Sequence, residues 1–152
     1  MARFTFSRVV KLPREQVFMY FKHSERAPEW FPERFKSMKI VNETGNVRTM
    51  ECEEKWGRRQ MKYVQRDVMT PPNRVEQEIV SGSGKGTKSM WTLEETPNGT
   101  NLQLDVETNG FEMWLGSTFF RGRLNRELQD FFYGLAGIIE EDRLNLRQGQ
   151  GT

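Results

Sequence analysis

The sequence is poor in the residues from which most catalytic centres are built. Among 152 residues there is one cysteine, Cys52, and one histidine, His23. A lone thiol cannot close an intramolecular disulfide, and the opening MARFTFSRVV has no signal-type apolar core, so the reducing cytoplasm is expected. One imidazole and one thiol cannot furnish a zinc site. Only an all-carboxylate site would remain for a metal, and no D-x-D-x-D-G loop is present, so neither a metal nor another cofactor is expected. The same scarcity removes Ser-His-Asp and Cys-His catalysis unless His23, expected on the surface at the end of a short helix, served as the base. No run approaches the ~18 consecutive apolar residues of a membrane span, which leaves room only for a transient visit to a membrane surface. Net charge is small as well: 23 Lys+Arg against 21 Asp+Glu gives +2, with the signs interleaved. Nucleic acid is therefore not an expected partner, because binding phosphates needs massed basic charge.

What is present suits one folded domain. At 36% hydrophobic and 29% charged residues, the chain is long enough to bury roughly 70% of its extended-chain area. The expected domain covers residues 1–147, with 148–152 as a disordered tail and a monomer or weak homodimer as the oligomeric state.

Near the start, Phe4, Phe6, Arg8, Val10 and Leu12 alternate with polar residues, the period of a strand, although Arg8 and Val9 blur it. Pro13 ends that strand and opens a short helix with Val17, Phe18 and Phe21 on one side. Pro28 and Pro32 forbid one long helix over the next stretch and allow a second short one around Trp30, Phe31 and Phe35. From residue 37 to 108, turn signals at Thr44-Gly45-Asn46, Trp56-Gly57-Arg58, Thr70-Pro71-Pro72-Asn73, Ser81-Gly82-Ser83-Gly84 and Pro97-Asn98-Gly99 separate six candidate strands. Their inward rows read Met50, Cys52, Glu54, Trp56, then Met61, Tyr63, Gln65, then Val75, Gln77, Ile79, then Thr87, Ser89, Trp91, Leu93, and lastly Leu102, Leu104, Val106. A face packed solidly on a helix would have to satisfy Glu54, Gln65 and Gln77, whereas a wet hollow tolerates them. From Thr118 to Asn145 there is no proline, and Phe120, Leu124, Leu128, Phe131, Leu135 and Ile138 share one face of a helix about 42 Å long, with Phe132 and Ile139 widening the stripe.

The expected fold is α+β: a curved antiparallel sheet of about seven strands wrapped around the long C-terminal helix, with two short helices after the first strand. Bent sheet and straight helix seldom meet at both ends, so a cavity between them is expected. In element order and spacing the chain resembles the helix-grip superfamily, of START and birch-pollen-allergen type, which includes polyketide cyclases and coenzyme-Q-binding proteins. The likeness is carried by LPREQVF at the end of the first strand, APEWFP, GKGTKSMWTLEE followed by NGT, and FFRGRLNRELQDFFYGLAGIIEED, over nearly the whole chain. It implies an apolar or amphipathic molecule held between sheet and helix, with cyclisation or dehydration in some members.

GSGKGT at 82–87 imitates a phosphate loop but fails its spacing, because Ile79 stands where the first glycine belongs and a strand follows instead of a helix. It reads as a hairpin. Glu54 shares the inward parity of Met50 and Cys52, and a buried carboxylate there would be a candidate acid or base. The competing and commoner outcome is a bulge that turns it outward, or a pairing with Arg59. Trp30, Phe35, Trp56, Met61, Tyr63, Gln77, Trp91, Leu124, Leu128 and Phe131 are the expected ligand-contacting residues, together with Phe111 and Trp114 from the unusually apolar link GFEMWLGSTFF, a candidate lid. Three functions compete: a carrier of a lipid, isoprenoid quinone or polyketide; a cyclase or dehydratase in which Tyr63, Glu54, Arg59 or Arg66 moves a proton or polarises a carbonyl; and a regulatory module that uses residues 111–115 as a contact surface.

Overall fold

The computed structural model describes residues 2–56, 58–108, 118–142 and 144. Strand β1 (Ala2–Val10) is followed by helix α1 (Arg14–Lys22), a 3₁₀ turn (Ser24–Arg26) and helix α2 (Ala27–Trp30). Six strands follow: β2 (Phe35–Thr44), β3 (Val47–Trp56), β4 (Arg59–Thr70), β5 (Arg74–Gly82), β6 (Lys88–Thr96) and β7 (Gly99–Thr108). The long helix α3 (Thr118–Glu140) comes last. All strand pairs are antiparallel in the order β1-β7-β6-β5-β4-β3-β2. The two edge strands are consecutive in sequence, so α1 and α2 carry the chain from one edge of the sheet to the other.

The period-two rows become the inner face of this sheet. Phe4, Phe6, Met50, Met61, Trp91, Leu93, Leu102 and Leu104 are all buried. Each such side chain contributes about 1.5–3 kcal/mol on full burial. Arg8, which interrupts the row in β1, reaches the end of α3 and pairs with Glu140 at 3.2 Å. At the end of β5, opposite Tyr63 of β4, Gly82 has φ +87°, and a Cβ there would strike the carbonyl oxygen of Lys62, so only glycine fits.

Two expected boundaries move. The second short helix stops at Trp30, and Phe35 opens β2 instead of joining it. Pro32 explains the stop, because it disfavours helical backbone at Phe31, which adopts φ −132°. The long helix ends at Glu140 rather than Asn145. Asp142 then takes the left-handed conformation, φ 51°, and the chain turns to bury Leu144, whose amide donates to the Tyr20 hydroxyl at 3.2 Å. The long helix buries its expected stripe at Leu124, Leu128, Leu135 and Ile138, and the most deeply buried line runs along the side that widens it. Phe132, Ala136 and Ile139 are fully buried, and Phe132 stacks between Phe6 (5.8 Å) and Trp91 (6.0 Å). That contact with β1 and β6 swings Phe131, only half-buried, toward the gap over β3 and β4.

Candidate functional site

The gap is a cavity of about 140 Å³ between the inner face of the sheet and α3. An apolar void of roughly 150 Å³ accommodates one benzene ring, so this one suits a guest of about one ring. Its roof is Leu124, Leu128 and Phe131 of α3, and its floor is Trp56, Met61, Tyr63, Gln77 and Trp91. Trp30 and Phe35, with Phe31, close the side beneath α2. Phe31 meets Phe131 at 5.4 Å between ring centroids, an approach permitted by Gly134, where a Cβ would lie 2.9 Å from the Phe31 ring. Ten of the twelve residues expected to contact a ligand therefore line one cavity. The other two, Phe111 and Trp114, lie outside the described residues, as does the 111–115 link.

One end of the cavity is built on Glu54. Strand β3 runs through this residue in regular register with Met61 of β4; the irregularity beside it lies in the facing strand β2, between Phe35 and Ser37, so Glu54 is not turned outward and stays buried at 8% exposure. Its Oε1 accepts the Tyr63 hydroxyl at 2.6 Å, and its Oε2 accepts the indole N–H of Trp56 at 2.5 Å and Nε of Arg34 at 2.8 Å. The cation expected to face it was Arg59, which is exposed at the start of β4 and outside the cavity lining. Arg34 takes that place because the turn after α2 is tied to β3, where the Lys55 amide donates to the Arg34 carbonyl at 2.7 Å. The guanidinium lies 4.9 Å from the Trp56 ring and 5.2 Å from the Phe131 ring, and Nη1 donates to the Glu127 carbonyl of α3 at 3.2 Å. Arg34 thus joins sheet, turn and helix at the rim. Burial first, and then the Glu54 charge, raise the Tyr63 phenol well above its ordinary pKa. The neighbouring Cys52 thiol is pushed up to about 12, again chiefly by burial, so it is inert at neutral pH.

A second polar group lies beneath the opposite wall. Asp67, fully buried, accepts Nε2 of Gln65 at 2.8 Å, and close by Gln77 accepts the Trp91 indole N–H at 3.0 Å through its Oε1. Burial raises the Asp67 pKa, opposed by the Gln65 hydrogen bond and the charge of Arg48, whose Nη2 lies 3.5 Å from Oδ2. Arg48 is itself 1% exposed and donates to the carbonyls of Lys22 (2.7 Å) and Phe21 (2.8 Å), satisfying the C-terminal end of α1. Arg34, Arg48 and Asp67 were not among the expected site residues. Arg48 and Asp67 sit on the inward parity of Met50 and Tyr63, a signal that would have found them; Arg34 sits in an irregular turn with no periodicity to read. Arg66 has the outward parity, is exposed, and borders a groove on the outer face of the sheet with Glu76 and Lys88. Neither Arg59 nor Arg66 has the placement a catalytic role in the cavity requires.

Residues 1–140 match the family model described as polyketide cyclase / dehydrase and lipid transport. The chain belongs to this family. Among curated proteins no match is found. Solved structures show that this polyketide cyclase and lipid-transport family member has the helix-grip fold shared by START-type and birch-pollen-allergen-like proteins. TTHA0849 from Thermus thermophilus is 14% identical with a TM-score of 0.79, covering 91% of this chain and 97% of its own. A START superfamily protein from Mycobacterium smegmatis is 14% identical with a TM-score of 0.78, again over 91% and 97%. The Zhui aromatase/cyclase from Streptomyces sp. R1128 is 13% identical with a TM-score of 0.74, over 91% and 93%. At these identities the likeness speaks for the fold, and the chemistry has to be read from this family member's own residues. Among its described residues no helix is long and apolar enough to cross a membrane, and no cluster of His, Cys, Asp and Glu has the geometry to hold a metal.

Proposed function

We propose that this family member binds a small hydrophobic molecule of aromatic or amphipathic character in the cavity between sheet and α3, and carries it through the cytoplasm. The observation that supports this reading is a ring-sized void walled largely by aromatic side chains, with a few polar groups such as Glu54, Gln65 and Gln77 set among them. Burying one ring, about 200 Å² of apolar surface at 25 cal/mol per Å², supplies ~5 kcal/mol, a dissociation constant of about 0.2 mM. A larger lipid, quinone or polyketide would need α3 or the rim around Arg34 to yield. A cyclase or dehydratase would need a group free to move a proton. Tyr63 donates its hydroxyl to Glu54, and its high pKa makes it a reluctant acid, so the residues favour binding over proton transfer.

Native mass spectrometry of freshly purified protein tests the reading, together with thermal unfolding in the presence of toluene. A co-purified adduct, or a Tm rise of about 3–6 °C with toluene at ten times its Kd, is the expected result. Bare protein mass combined with an unmoved Tm would overturn it.

A further inference from the structure

We propose that the cavity selects a guest bearing a hydroxyl donor, a phenol or comparable alcohol, over its carbonyl-bearing counterpart, and that Gln65, oriented by Asp67, makes this choice. The inference rests on the proposed binding role of the cavity and deepens it.

Most polar atoms of the wall are already committed to one another. The indole N–H of Trp56 and the hydroxyl of Tyr63 are given to Glu54, and the indole N–H of Trp91 is given to Gln77. Gln77 accepts the Trp91 indole through its Oε1, and its amide end acts on Asp67, whose pKa it lowers, so that end serves the buried carboxylate. Arg34 gives Nε to Glu54 and Nη1 to Glu127, and it borders an outer groove as well as the cavity, so its remaining Nη2 is a donor of the rim and not of the floor. The hydroxyls of Thr87 and Thr108 are 2.8 Å apart and share one hydrogen bond, and the proton left over can turn either way, so this pair serves a donor or an acceptor alike. Ser89 can rotate to donate or to accept, so it decides nothing.

Gln65 is different. It lines the cavity, while Asp67, which holds its Nε2, does not. A carboxylate accepts and does not donate, so it fixes which end of the amide faces it. The other end, the carbonyl oxygen, has no hydrogen-bond partner among the described residues, and it is the atom left for a guest. An amide anchored on a fully buried carboxylate, with Arg48 behind it, forms a rigid acceptor at the floor of an apolar hollow. A guest hydroxyl completes it. A guest carbonyl sets two acceptors face to face and leaves both unpaired. Asp67 is thus a positioning residue, acting through Gln65 without touching the guest.

Isothermal titration with three single-ring probes of similar size tests this: phenol, toluene as the analogue without the donor, and benzaldehyde as the analogue with only an acceptor. In a purely apolar hollow toluene binds best, because phenol gives up its hydrogen bonds to water. The expected result here is phenol binding about tenfold more tightly than either of the others, the worth of one well-formed hydrogen bond in such a site. Gln65→Met should abolish the preference while toluene binding persists. Asp67→Asn, which frees the amide to turn, should raise benzaldehyde relative to phenol about tenfold; where it fails to fold, the parent protein and Gln65→Met decide the matter. Toluene or benzaldehyde matching phenol would overturn the donor rule and leave the binding role of the cavity intact. A phenol preference unchanged by Gln65→Met would overturn the assignment to Gln65. Failure of all three probes to bind would remove the cavity reading, and this inference with it.

Discussion

Replacing Arg34 by Met tests whether the ion pair at the rim holds α3 against the sheet. Arg34 and Glu54 are 13% and 8% exposed and 2.8 Å apart, so most of the pair is out of water. Breaking a fully buried pair costs ~3–5 kcal/mol, because one charge is left uncompensated. Here Glu54 keeps the hydroxyl of Tyr63 and the indole of Trp56, which brings the expected cost below that range, to ~2–3 kcal/mol. At ~2–4 °C per kcal/mol, Tm should fall by roughly 4–12 °C. Glu54→Gln should cost ~2 kcal/mol, since Arg34 retains Glu127 but the neutral amide turns a donor toward one of its former partners. The double variant should then lose ~1.5–2 kcal/mol less than the sum of the two, the coupling of a contacting charged pair. Urea unfolding with a common m-value gives all three numbers. Costs that add to within ~0.5 kcal/mol would refute the reasoning, because independent sites add and a latch does not.

Other outcomes follow from the same contacts. Glu54→Gln should lower the Tyr63 titration from its raised position, because it removes the charge that, after burial, most opposes the phenolate; absorbance at alkaline pH reads this, and an unmoved titration would contradict it. Cys52, with its thiol pushed up to about 12 and its side chain buried, should resist a thiol reagent in the native state and react once urea unfolds the chain; rapid native labelling would contradict its placement. Asp67 has a raised folded pKa, so the native state binds its proton more tightly than the unfolded state does. Stability relative to Asp67→Asn should therefore fall as pH rises from 3.8 through that raised value, and a difference that is flat or rises over this window would contradict the burial.

How much was legible in the sequence depended on whether a residue's role followed from periodicity. Strand parity places Met61, Tyr63, Gln77 and Trp91 on one wall, because successive side chains in a strand alternate faces whatever the tertiary setting. Six strands between Phe35 and Thr108 were legible because each turn carries glycine, proline or asparagine. The pairing of Glu54 was not. Its partner comes from a turn whose position is set by a backbone hydrogen bond to Lys55, a long-range contact that leaves no local signature. Arg48 and Asp67 carry the right parity, yet charged residues are rarely fully buried, and only the unsatisfied carbonyls of α1 and the paired amides show why these two are. Which side of the α3 stripe meets the cavity is likewise a packing outcome. Phe131 and Phe132 both belong to an apolar stripe, and the stack of Phe132 on Phe6 and Trp91 decides which of them faces the cavity.

The central claim, that the interior accepts a guest, is tested most directly by methyl NMR of protein carrying ¹³C at its methionine methyls, titrated with toluene. Met61 and Met38 line the cavity, whereas Met90 borders a groove on the outer face. Saturating shifts at Met61 and Met38 with Met90 unmoved are the predicted result. An unmoved Met61 at millimolar toluene, or small shifts spread alike over all the methionines, would show that the hollow does not take a ring.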